Sequence, residues 1–137
     1  MADCIFCKIV EGKITAAKVS ESENVIAFLD INPISSGHTL VVSKEHFELL
    51  VDVPDKLLGD IIAVTRRVAK GVMKATGSDG FNLLQNNHRC AGQSIPHVHF
   101  HIIPRKIGDH SWFNWKPKSS NGQEIETLRD AIKGNIL

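Results

Sequence analysis

The chain is 137 residues long, which is the usual size of one globular domain. Sixteen basic and fifteen acidic side chains nearly cancel, so the net charge of +1 does not favour binding to a nucleic acid or an anionic membrane. No apolar run is long enough to cross a bilayer, and the first residues lack the pattern of a secretion signal. Three cysteines are an odd number and do not suggest a disulfide framework, so we expect a cytoplasmic protein.

Short strands and one long helix are the elements that the sequence predicts. An apolar stripe at helical spacing predicts a helix over 54–75, with Asp52 as its N-cap and Gly77 as its C-cap. A shorter terminal helix is expected over 123–132. The pattern favours an α+β domain with an antiparallel sheet over alternating βαβ units. Apolar and β-branched runs predict strands at 17–20, 24–29, 39–43, 81–85 and 97–103, the last of them ending at Pro104.

Three histidines occupy alternate positions of the last predicted strand. In an extended strand alternate side chains share one face, so His97, His99 and His101 project together while the apolar residues between them face the core. Imidazoles gathered on one face need a ligand, a metal or a hydrogen-bond network to satisfy them. Because imidazole titrates near neutral pH, the group suits a nucleophile, a proton carrier or a metal ligand.

The segment HVHFHII at 97–103 matches the pattern His-φ-His-φ-His-φ-φ, in which φ is an apolar residue. With this segment the chain resembles the histidine-triad (HIT) nucleotide-binding hydrolases, and the likeness extends through CIFCKI, FLDINPISSGHTLVV and GQSIPHVHFHIIPR. It fades after residue 110. The resemblance implies one α+β HIT domain over 1–137, with 111–137 as its least similar part. It also implies a homodimer across which the antiparallel sheet continues.

The resemblance further implies transfer of a nucleotidyl group to water. His99 would attack the α-phosphorus of a nucleotide and form a covalent nucleotidyl-histidine, which water then hydrolyses. The backbone carbonyl of His97 would fix the His99 tautomer, and His101 would assist the leaving group together with Ser94 and Gln93. The turn that carries Gln93 and Ser94 would also offer backbone N–H groups to the developing phosphate charge.

Further residues are assigned to nucleotide binding by the same resemblance. His38 matches a position that touches the phosphate, and Asp30 matches one that accepts the ribose hydroxyls. Asn86 matches a position near the ribose and phosphate. Without the family, each of the three also suits a simple turn. A purine pocket needs flat apolar walls. The matching apolar positions are Ile5, Phe6, Ile9, Phe28 and Ile31.

The cysteines Cys4 and Cys7 form a Cys-x-x-Cys pair, which is half of a tetrahedral zinc site. By itself the pair is equally compatible with two reduced thiols in a core. Some zinc-containing HIT proteins carry such a pair, and the resemblance implies His46 and His97 as the other two ligands. The Zn²⁺ would be structural, because His99 rather than the metal supplies the nucleophile.

Several functions stay open at this point. Resemblance to the Hint branch implies hydrolysis of a purine nucleoside phosphoramidate, such as an adenosine 5′-phosphoramidate, with AMP as product. The run at 104–109 is similar to the fragile-histidine-triad branch, which cleaves dinucleoside polyphosphates. Further alternatives are a nucleotide- or zinc-binding interaction protein and a metal-dependent hydrolase with the triad as ligands. In a homodimer, Trp112 or Trp115 would reach the active site of the partner.

Overall fold

A computed structural model describes residues 3–109, 117 and 119–136 of the chain. Its centre is a five-stranded antiparallel sheet in the order β1-β2-β3-β5-β4, which confirms the predicted α+β class. Trp112 and Trp115 lie outside the described residues. The helices are α1 (Ile5–Val10), α2 (Asp55–Thr76) and α3 (Gly122–Asn135). The strands are β1 (Lys18–Glu21), β2 (Val25–Leu29), β3 (Thr39–Ser43), β4 (Gly80–Gln85) and β5 (His99–Arg105).

Both faces of the central strands are covered, and therefore β2 and β3 are buried along their whole length. On one face, alternate residues such as Val41, Phe100 and Ile102 pack against α2 and α3. On the opposite face, Ile26 and Leu40 pack against α1, which forms a smaller second core. The triad histidines alternate along the chain with Phe100 and Ile102, so they lie on the opposite, α1 side of the sheet.

The close contact between α2 and α3 depends on Gly71. A Cβ atom at this position would lie 2.8 Å from Cγ1 of Ile136 and 3.0 Å from the carbonyl oxygen of Ile132. Glycine therefore lets the terminal helix approach the long helix at this point. None of the helices in the described part of the chain is both long and apolar enough to span a membrane.

Two details of the predicted elements are wrong. Asp52 does not cap the long helix, because it lies in a short 3-10 turn and Pro54 occupies the N-cap position instead. Strand β5 begins at His99, two residues after its predicted start, and runs through Pro104 to Arg105, two residues beyond its predicted end. Its pairing with β3 ends at Ile102, and Pro104 pairs with β4 alone, where a missing N–H is tolerated. The predicted C-cap is confirmed, since Gly77 has a left-handed φ of 64°.

Candidate active site

A cleft of about 330 Å³ opens on the α1 side of the sheet, where α1 faces β2 and β5. It brings together all five predicted base-pocket residues, two triad histidines and two of the predicted polar residues. The sequence reasoning missed Asn32, which also lines the cleft and follows Asp30 in the same loop. The predicted residues in the lining are Ile5, Phe6, Ile9, Phe28, Asp30, Ile31, Ser94, His99 and His101.

The His99 ring is held in a defined tautomer. Its Nδ1 atom lies 2.6 Å from the backbone carbonyl oxygen of His97, which can only accept, so Nδ1 carries the proton and donates. The Nε2 atom therefore has a free lone pair. Burial lowers the pKa of His99, which keeps the ring neutral at physiological pH. The edge of the Phe6 ring packs against it with a centroid distance of 5.0 Å. The arrangement suits a nucleophile fixed in position.

A hydrogen-bond chain through His38 fixes the protons of His101. The backbone N–H of Ile34 donates to His38 Nδ1 at 3.0 Å, so the neutral His38 ring carries its proton on Nε2. This Nε2 lies 2.9 Å from His101 Nδ1 and donates to it. His101 then carries its own proton on Nε2. Burial lowers the pKa of His38 to about 4 and that of His101 to about 3, so both rings are neutral near pH 7.

Asp30 closes the mouth of the cleft at the end of β2. Its Oδ1 accepts the N–H of Asn32 at 2.8 Å, and its Oδ2 lies 3.8 Å from His38 Nε2. Burial raises the pKa of the Asp30 carboxyl. Asp30, His38 and His101 are close enough to surround a metal ion. However, His38 holds its proton on the nitrogen that faces the other two groups, and this pattern argues against these three groups as metal ligands.

Three predicted nucleotide ligands lie outside the lining of the cleft. His38 is buried behind His101 and Asp30, which do line the cleft, and its contact with phosphate stays a prediction. Asn86 directs its amide toward the Gly92 carbonyl oxygen at 3.4 Å. The buried Gln93 side chain is hydrogen-bonded within the protein, as described below.

A second cluster lies beside the triad, where Cys4, Cys7, His46 and His97 bring their donor atoms within 4.8 Å of one another. The Cys4 Sγ–His97 Nδ1 and Cys7 Sγ–His46 Nδ1 distances are both 3.3 Å, and the two Nδ1 atoms are 3.1 Å apart. Around a tetrahedral zinc ion, such donors would be separated by roughly 3.3 to 3.8 Å. The distances are therefore compatible with metal ligation.

The hydrogen bonding of His97 also fits a metal site. Its Nε2 donates to the backbone carbonyl oxygen of Ser43 at 2.7 Å, so its Nδ1 lone pair faces the two thiols. A ligating histidine in a metal site is oriented by a hydrogen bond of this kind. Burial lowers the pKa of His97 to about 4, which keeps the ring in the ligating neutral form. The Ser43 carbonyl belongs to the backbone, and the sequence carried no signal of its role.

The sheet topology and the three alternating histidines define a histidine-triad protein. The HIT domain family model matches residues 11–108, so the chain belongs to the HIT family. It is 40% identical over 134 residues to the adenosine 5′-monophosphoramidase hnt1 of Schizosaccharomyces pombe, a match that covers 97% of this chain and 98% of the relative.

Solved structures agree with this assignment. A hypothetical histidine triad nucleotide-binding protein from Sulfolobus tokodaii is similar with a TM-score of 0.89 and 38% identity, covering 97% of this chain and 91% of that one. A zinc-bound histidine triad family protein from Mycobacterium smegmatis is similar with a TM-score of 0.85 and 34% identity, covering 97% of this chain and 95% of that one.

Proposed function

We propose that this protein hydrolyses conjugates of adenosine 5′-monophosphate, above all adenosine 5′-phosphoramidates, through a covalent intermediate on His99. The observation that carries the proposal is the 2.6 Å hydrogen bond from His99 Nδ1 to the His97 carbonyl, which leaves Nε2 unprotonated in a nucleotide-sized cleft. The activity named for the related protein of S. pombe supports the choice of substrate.

The chemistry follows from the two tautomers. His99 Nε2 forms a bond to the α-phosphorus as the bond from phosphorus to the leaving amine breaks. His101 donates a hydrogen bond from Nε2 to the leaving nitrogen, and this nitrogen takes its proton from solvent water through the Ser94 hydroxyl at the edge of the cleft. Water then attacks the phosphorus and gives up a proton to solvent as the bond from phosphorus to His99 Nε2 breaks, so AMP is released and His99 is restored as a neutral ring. The steps divide one slow displacement into two faster ones.

The rest of the cleft fits the nucleoside. The apolar side chains of Phe6, Ile9 and Phe28 give a flat surface for a purine base, and the half-exposed Ile5 and the exposed Ile31 flank it. The carboxylate of Asp30 accepts hydrogen bonds from the ribose hydroxyls at the mouth of the cleft. Together these contacts would place the α-phosphate near His99 and His101.

The substrate assignment is tested by turnover of a panel that contains an adenosine 5′-phosphoramidate, its guanosine counterpart and a dinucleoside polyphosphate. We expect the adenosine phosphoramidate to be turned over fastest. In the His99→Ala variant its turnover rate should fall by at least about a thousandfold, while AMP binding is retained. Preference for the dinucleoside polyphosphate would favour the fragile-histidine-triad alternative. Binding without turnover of any conjugate would favour an interaction protein and contradict the proposal.

We also propose that Cys4, Cys7, His46 and His97 bind a structural Zn²⁺. Support comes from the donor distances and from the zinc-bound relative of M. smegmatis. With four protein ligands the ion would have no position for substrate, and its contribution would be to join α1 to the strand that carries the triad. Because both thiols must stay reduced to bind the metal, the site also supports a cytoplasmic location.

Finally, we propose a homodimer of single-domain subunits, each spanning 1–137, in which β4 of one subunit pairs with β4 of its partner. Strand β4 is one edge of the sheet, and Phe81 and Leu83 remain 41% and 47% exposed on it. Beside them, Ile62, Ala69 and Met73 of α2 complete an apolar groove. An exposed edge strand next to an apolar surface favours pairing with a second copy.

A further inference from the structure

The turn between β4 and β5 contains a backbone conformation that favours glycine, yet the residue there is His88. Its φ is 70° and its ψ is 154°, and among the described residues it is the one non-glycine with a positive φ. The His88 ring is exposed, so no packing of the ring explains this conformation. Strained backbone of this kind persists only when neighbouring groups hold it.

The side chain of Gln93 is the group that holds it. Its Oε1 accepts the backbone N–H of His88 at 2.8 Å, and the backbone N–H of Gln93 donates to the His88 carbonyl oxygen at 3.1 Å. Its Nε2 donates to the carbonyl oxygen of Glu48 at 2.7 Å, across 45 positions of sequence. The residue is only 5% exposed. Both ends of the amide are therefore satisfied inside the protein.

The same turn is tied to the 46–50 segment at two other points. The N–H of Leu50 donates to Asn87 Oδ1 at 2.8 Å, and the N–H of Val98 donates to the Phe47 carbonyl oxygen at 2.7 Å. These bonds lie on either side of Gln93 along the chain. Gln93 thus anchors the middle of the turn, directly before Ser94 and the histidine strand.

We propose that Gln93 is a positioning residue: it holds the strained turn at His88 and so keeps Ser94 and His99 in place for the reaction proposed above, on which this inference rests. It does not contact the nucleotide. Because His88 rather than a glycine has this backbone conformation, the turn needs the Gln93 amide to hold it.

The kinetic test uses Gln93→Met, which keeps the length of the side chain but removes its hydrogen bonds. Gln123→Met, on the exposed face of α3, is the matched control. We expect kcat for the adenosine phosphoramidate to fall by roughly ten- to a hundredfold, while the affinity for AMP stays within about twofold. A lost affinity for AMP at unchanged thermal stability would show direct contact with the nucleotide and overturn the proposal.

A double-mutant cycle tests the link to His88. With His88→Gly the turn adopts its conformation without strain. In that background Gln93→Met should lower kcat much less than it does in the wild type, and it should lower Tm by less than half as much. Should Gln93→Met alone fail to fold, the double variant should fold. Additive effects of the two substitutions would overturn the proposal. Because Tm needs no substrate, the cycle remains decisive even if the chain turns over none of the conjugates.

Discussion

The Nε2 atom of His38 lies 2.9 Å from the Nδ1 atom of His101, and this pair sets the direction of the proton on the third histidine of the triad. Because His38 Nδ1 accepts the backbone N–H of Ile34, the neutral His38 ring has its proton on Nε2. His38 then donates to His101 Nδ1, so the neutral His101 ring also has its proton on Nε2. A donor aimed at the leaving group is thus prepared before substrate binds. In the proposed reaction His38 therefore acts as a positioning residue for His101.

Removal of the His38 hydrogen bond should therefore slow the reaction without weakening nucleotide binding. We expect His38→Phe to lower kcat by roughly a hundredfold, because His101 loses the donor that fixes its tautomer. His38→Gln, whose amide can both accept and donate, should recover a substantial part of that loss. Steady-state kinetics and AMP titration of the two variants separate the effects. Equal activity of His38→Phe and His38→Gln would contradict the assigned role.

The two rings also predict how stability depends on pH. The pKa values of His38 and His101 are lowered in the folded protein to about 4 and about 3, whereas in the unfolded chain they lie near 6.5. As the pH falls, the unfolded chain therefore takes up protons before the folded chain does. The stabilisation from the two neutral rings should be complete above about pH 7, and the free energy of unfolding should fall between pH 6.5 and 4. The expected loss is about 3 kcal/mol for His38 by pH 4, and the loss that comes from His101 continues toward pH 3.

Urea unfolding between pH 7.5 and 4.5 measures this dependence. The His38→Gln variant is the control, because it removes one of the titrating histidine rings and should show a shallower decline with falling pH. An unchanged slope in this variant would exclude His38 as a source of the pH dependence.

Loss of a cysteine ligand should release the proposed zinc ion and destabilise the fold. We expect about one zinc ion per wild-type chain and almost none in Cys7→Ser, with a fall in Tm of roughly 10 °C, since three ligands hold the ion less tightly than four. Cys90→Ser is the matched control, because Cys90 is exposed and lies apart from the cluster. Elemental analysis and thermal unfolding check the result. Equal zinc contents in the two variants would contradict the ligand set.

A charge on the edge strand should separate the proposed dimer. Leu83→Lys places an ammonium group in the apolar groove between β4 and α2, and we expect it to shift the molar mass in solution from that of two chains to that of one. Val51→Lys is the control, since Val51 is 85% exposed in a different part of the surface. Light scattering during size-exclusion chromatography measures the mass. A wild-type chain that is monomeric, or a dimer that survives Leu83→Lys, would contradict the proposed interface.

Much of the fold was readable from local sequence patterns. The β-branched run at 39–43 and the apolar stripe of α2 specify their elements by side-chain spacing alone, and both were confirmed. The ends of β5 were not readable, because they depend on where β3 and β4 stop pairing with it. The wrong N-cap of α2 has a similar cause, since a 3-10 turn over Leu50–Asp52 uses the residue that could have capped the helix.

The candidate site, like the fold, was predictable from the sequence only in part. The shared face of His97, His99 and His101 follows from the period of a strand, and the structure places His99 and His101 in one cleft. The support for these rings was not predictable. The acceptors for Gln93 and His97 are the backbone carbonyls of Glu48 and Ser43, and a carbonyl group is present at every position of the chain. Side-chain types therefore carry no information about which carbonyl will be used.

The covalent intermediate on His99 is tested most directly by trapping it. Wild-type protein mixed with an adenosine 5′-phosphoramidate is quenched within the first turnover at alkaline pH, digested and analysed by mass spectrometry. The account predicts one adenylyl group on the peptide that contains the triad, localised by fragmentation to His99 and absent from His99→Ala. An adenylyl group on a different residue, or turnover of the same substrate by His99→Ala at the wild-type rate, would contradict it.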